Sequence, residues 1–103
     1  MIINGVRWWV RLVSPAHPML ITPWKTHALG VCDKITQNIY IDKTLSPQQL
    51  KEVLCHELVH AFMFSYVVNL SYNEEEMVAD LMSKYGESIL KETKAIYNGI
   101  KMK

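Results

Sequence analysis

Cysteine is scarce in this chain, and so is net charge. Only two cysteines, Cys32 and Cys55, occur in 103 residues, and they do not form a CxxC pair. That is too few for a disulfide framework in so small a chain. Both are expected to be buried free thiols, which suits a reducing cytoplasm. Eleven Lys and Arg stand against ten Asp and Glu, a formal net charge of +1. No broad field is available to hold nucleic acid or a membrane surface, so neither is an expected partner. Lys91, Lys94, Lys101 and Lys103 give the tail a basic cast that reads as a solvated face. The amino-terminal stretch lacks the apolar run of a signal peptide. The long apolar stretch over residues 53–70 approaches the lower limit for a membrane span. It would carry His56, Glu57 and His60 into hydrocarbon, at a cost of several kcal/mol in total (roughly 2.5–3.5 for one charged residue). Repeats, linkers and low-complexity tracts are missing as well, so residues 1–103 are expected to form a single domain.

Apolar residues, by contrast, make up 50% of the chain, which marks it as globular. The most informative of its segments is His56-Glu57-Leu58-Val59-His60. On a helix, positions i and i+4 share one face. Two imidazoles so placed can hold one metal ion, and the glutamate between them can reach a water on that ion. The surrounding residues, from Leu50 to Val68, are apolar on nearly every face, so the helix is expected to be central and buried. A buried His-Glu-His group without partners would be expensive, and a metal is one good partner. The competing readings are a chance match, with His and Glu satisfying one another, and a closed four-ligand metal staple in a non-enzymatic interaction module.

The helix ends are legible. Ser46-Pro47-Gln48-Gln49 is a capping box with Pro at the first helical position. The helix is expected to reach about 66–68, with Asn69 and Ser71 in the turn. A second helix then starts near 71–73, its first turn favoured by Glu74, Glu75 and Glu76 through the helix dipole. A catalytic zinc needs a third protein ligand and an open position. Glu76 is the expected third ligand beside His56 and His60, with Glu75 as the alternative, because Asp80 follows Glu76 by one turn. Asp80 would then lie level with His56 and hold its imidazole N–H from outside the ligand set. His27 is the next candidate should Glu76 not serve. Glu57 is the expected catalytic base. A further donor for the developing oxyanion is sought among Tyr72, Tyr85, His17 and His27.

Elsewhere, Val6, Trp8, Val10 and Leu12 alternate with Arg7, Trp9 and Arg11, a half-buried strand with Trp9 outward beside two arginines. Pro15, Pro18 and Pro23 break the next stretch into a loop. Segments 29–32 and 39–42 flank Asp33-Lys34-Ile35-Thr36 as a hairpin, one strand of which forms a sheet edge able to pair with an extended peptide. After Gly86 a separate third helix is expected over 87–97, docked through Ile89, Ala95 and Ile96. The fold class is α+β: a small antiparallel sheet of about three strands on a buried HExxH helix, then an acidic-ligand helix and a C-terminal helix.

His56-Glu57-Leu58-Val59-His60-Ala61 followed by Glu76-Met77-Val78-Ala79-Asp80 resembles the gluzincin arrangement of thermolysin-like peptidases. With the paired strands before it, the layout most resembles the small ImmA/IrrE-type metallopeptidases of phages and mobile elements. The resemblance covers about 28–85. It implies a cytoplasmic Zn2+ peptidase acting on a specific protein substrate such as a mobile-element repressor.

Overall fold

Trp8 organises the amino-terminal part of the molecule. In the computed structural model, which describes residues 1–101, this indole is fully buried. Its Nε1 donates to Ser65 Oγ at 2.8 Å, and its ring meets Phe64 edge-on at 5.8 Å. Burying the indole breaks the single strand expected across residues 6–12. Strand β1 (Ile2–Ile3) pairs antiparallel with β2 (Val6–Arg7) around Asn4 and Gly5. Both turn residues have positive φ, 48° and 79°, as a two-residue hairpin turn of primed type requires. After Trp8 the chain restarts as β3 (Trp9–Val13). Trp9 is outward as expected, but Val10 and Leu12 are also exposed, at 44% and 56%. The alternation therefore does not mark a core face here. Arg11 Nε donates to Asn38 Oδ1 at 2.6 Å.

The main sheet has the order β3-β5-β4, with β4 at Gly30–Asp33 and β5 at Asn38–Asp42. β4 and β5 form the expected antiparallel hairpin, while β3 runs parallel to β5. The sheet is thus mixed, not antiparallel as the sequence suggested. The Pro-rich segment, with its short 3-10 turn at Pro18–Leu20, lets the chain return so that β5 lies between β3 and β4. β5 is consequently the central strand, with β3 and β4 at the two edges. Ile39 and Ile41 of β5 are fully buried and join Ile3, Trp8 and Ala61 in the core.

Helix α1 (Pro47–Ser65) begins with the anticipated capping box on Ser46 and Gln49. It ends where Val67 enters the left-handed region at φ 55°. Leu50, Val53, Leu54 and Leu58 pack on the core. The helix is flanked by the sheet and a second helix and is not enclosed: Phe62 and Phe64 remain 48% and 40% exposed. That corrects the expectation of a fully buried helix.

Helix α2 runs unbroken from Tyr72 to Lys101, so the acidic-ligand helix and the expected separate C-terminal helix are one. A terminating glycine takes positive φ, and Gly86 does not. Instead Gly86 stays within the helix, buried like Ala79. Thirty residues rise about 45 Å, against about 28 Å for the nineteen of α1. α2 therefore outruns its partner, and Ile89 and Ile96 stand exposed rather than docked. Lys103 of the basic tail lies outside the described residues. Among those described, no helix is long and apolar enough to cross a membrane.

Candidate metal centre

One turn of α1 separates His56 from His60 and brings their Nε2 atoms to 3.3 Å. Glu76 reaches across from α2. One of its oxygens lies 3.4 Å from His56 Nε2 and the other 2.7 Å from His60 Nε2. Ligand bonds of 2.0–2.1 Å in a tetrahedron put donor atoms about 3.3 Å apart. The Nε2–Nε2 separation matches that edge, while each histidine meets a different oxygen of Glu76, at 3.4 and 2.7 Å, the second of hydrogen-bond length. Among the described residues, His56, His60 and Glu76 form the one group whose donor atoms could hold a metal ion. Two imidazoles and a carboxylate suit zinc chemically.

The outer ring nitrogens also have partners. His56 Nδ1 lies 3.1 Å from Asp80 Oδ1, and His60 Nδ1 lies 2.6 Å from Glu75 Oε1. A histidine whose Nε2 faces a cation carries its proton on Nδ1 and donates it to such a carboxylate, which orients the ring. Asp80 sits where the i+4 spacing from Glu76 put it. Glu75 is not in the ligand group but supports His60, a role the sequence reading did not assign. Its place beside Glu76 on the helix was the available signal, since adjacent positions flank one another at about 100°. Lys34 was missed altogether. Its Nζ lies 3.3 Å from Glu75 Oε1, a contact across 41 positions that no local pattern announces. Burial alone would raise the Glu75 carboxyl. Hydrogen bonds from His60 and Lys34, with the charge of Lys34, outweigh it and hold the group below its ordinary value.

Glu57 is buried beneath β4. Burial pushes its carboxyl up, His56 and His60 pull it back, and Glu76 adds to the rise. The backbone of Cys32 faces this carboxylate. Burial, and then the negative charge of Glu57, push the Cys32 thiol up to about 12. β4 can lie this close because Gly30 has no side chain: a Cβ there would meet Val53 Cγ1 at 2.6 Å. The site opens into a cleft of about 570 Å³, walled by β4 on one side and by Leu70 and Tyr72 on another.

Of the other sequence candidates, only Tyr72 lies at the cleft. His17 caps the 3-10 turn through Nδ1 and stacks on Tyr40. His27 pairs with Ile21 in an isolated bridge. Tyr72 lines the cleft, whereas Tyr85 does not. Cys55 lines a different groove.

The family model of the IrrE N-terminal-like domain, Peptidase M78, matches residues 17–92. That span runs from the Pro-rich loop through β4, β5 and α1 to Glu92 in α2. No curated protein and no solved structure matches the chain.

Proposed function

The chain belongs to the Peptidase M78 family, IrrE N-terminal-like, and on that premise we propose that it is a zinc-dependent peptidase cleaving a protein substrate. The observation carrying the proposal is the convergence of one donor atom each from His56, His60 and Glu76 to within 4.8 Å of one another, beside a buried Glu57. These three side chains would hold the ion. When bound, zinc acidifies a coordinated water and polarises the scissile carbonyl.

Glu57 is the general base: it takes a proton from water and returns it to the leaving amine. Asp80 and Glu75 keep the imidazoles turned inward. Substrate lies along the free edge of β4. Leu29 O accepts from Asp42 N at 3.0 Å. Continuing the register, residues 31 and 33 bond β5, and the peptide groups of Gly30 and Cys32 turn outward. Gly30 and the Cys32 carbonyl can then pair with an extended peptide and hold it over the cleft. A closed structural metal site takes four protein ligands. The group here supplies three, which favours catalysis over a metal-stapled interaction module. The free thiols support a reducing, cytoplasmic setting.

The test is Glu57→Gln with a mixture of unstructured peptides as substrate. The variant is expected to bind zinc as wild type does and to lose cleavage by at least about 10²-fold. Undiminished cleavage by the variant defeats the assignment.

A further inference from the structure

The two histidines of the metal centre are supported unequally. Asp80, behind His56, has a side chain 58% exposed, while Glu75, behind His60, is 11% exposed. An exposed carboxylate exchanges its partner for water at little cost, whereas a buried one depends on the donors the protein supplies. Glu75 Oε1 has two, His60 Nδ1 and Lys34 Nζ.

Lys34 is not needed by the turn that carries it. That turn is held by Asp33, whose carboxylate accepts from the Ile35 N–H and the Thr36 hydroxyl. The lysine instead leaves the end of β4, forms part of the cleft wall and crosses to α2. Four carboxylates, Glu57, Glu75, Glu76 and Asp80, lie around the two imidazoles, and Lys34 is the cation among the cleft-lining residues.

We propose that Lys34 is a positioning residue of the metal centre, holding Glu75 against Nδ1 of His60 so that His60 Nε2 stays aimed at Glu76 and His56. The inference rests on the metallopeptidase reading. Without the ammonium group, Glu75 keeps one donor and turns toward solvent, and the His60 ring loses its brace. Because Lys34 follows directly on β4, the same contact ties the proposed substrate edge to the helix that carries Glu76.

The experiment measures zinc dissociation constants of the full chain by competition with a chromophoric chelator. Co2+ absorption provides a second readout of ligand geometry. Glu75→Gln is expected to weaken zinc about 10–100-fold, the usual cost of losing such a partner. Lys34→Met is expected to weaken it by about tenfold, the lower end of that range. Lys34→Arg should restore affinity. In the Glu75→Gln background, Lys34→Met should change nothing further, because it acts through Glu75. Wild-type affinity in Lys34→Met overturns the inference. So does a loss that adds in full to that of Glu75→Gln. If wild-type protein binds neither zinc nor cobalt, the metallopeptidase reading fails first and the inference falls with it.

Discussion

Gly30→Ala places one methyl group between the sheet edge and the helix that carries the metal-site histidines. The new Cβ would stand 2.6 Å from Val53 Cγ1, 3.0 Å from Glu57 Cγ and 3.5 Å from Glu57 Oε2. Carbon atoms in contact prefer about 3.5–4.0 Å, so the overlap with Val53 approaches 1 Å. Val53 cannot swing aside, since a β-branched residue on a helix has one favoured rotamer. β4 must therefore lift or α1 must retreat. Overpacking of this kind costs about 1–3 kcal/mol. Losing the glycine's freedom in the unfolded chain offsets about 0.4–1 kcal/mol. The clash wins, with a net loss of about 1–2 kcal/mol and a drop in Tm on the order of 5–15 °C for a domain this size. Displacing Glu57 by up to an ångström should lower peptide cleavage about 10²-fold. Urea unfolding followed by circular dichroism measures the first effect, and kcat/KM of zinc-loaded protein the second. Val53→Ala in the same chain removes the obstructing methyl and should return part of both losses. A Gly30→Ala protein as stable and active as wild type, with no gain from Val53→Ala, would refute this close approach of strand and helix.

Other perturbations test other parts of the structure. Ser65→Ala removes the acceptor of the buried Trp8 Nε1 and should cost about 1–3 kcal/mol in urea unfolding. Adding Trp8→Phe to Ser65→Ala should cost less than the two singles summed. Gly86→Ala should raise stability by up to about 1 kcal/mol through helix propensity. The nearest atoms to the new methyl all belong to the Met82 side chain, Cε closest at 2.8 Å, and a lowered unfolding midpoint would show that this flexible side chain cannot yield. With its thiol raised to about 12, Cys32 should stay protonated at neutral pH. In a Cys55→Ser chain its alkylation rate should climb about tenfold per pH unit through pH 10, since only the thiolate reacts. The sign for folding follows: the raised value contributes stability that is intact below pH 9 and lost as pH rises toward 12. Zinc at about 100 times its dissociation constant should add about 2.7 kcal/mol of stability, and EDTA should remove it.

Much of the site was legible because it is local. His56 and His60 share a face by helical geometry alone, with Glu57 on its flank, and Ser46 and Gln49 cap the same helix within four residues. Asp80 follows Glu76 by one turn, so the spacing that suggested one suggested the other. The legible pattern failed where distant segments decided the outcome. Val10 and Leu12 alternate like a core strand, yet β3 takes an edge position beside β5 and leaves them exposed. Gly86 reads as a helix stop, yet it remains in the helix as a small buried residue.

What the order of residues settled, then, were features built by neighbours along the chain: the capped helix, its paired imidazoles and the acidic turn that follows. Periodicity and capping act over a few residues, and no other part of the molecule has to agree. Tertiary structure alone decided the parallel pairing of β3, the seating of Gly30 over Glu57, and the contact of Lys34 with Glu75. These join segments tens of residues apart, and each depends on which competing packing buries Trp8, Ile39 and Ile41 together. That choice is a property of the whole chain and is written in no single stretch of it.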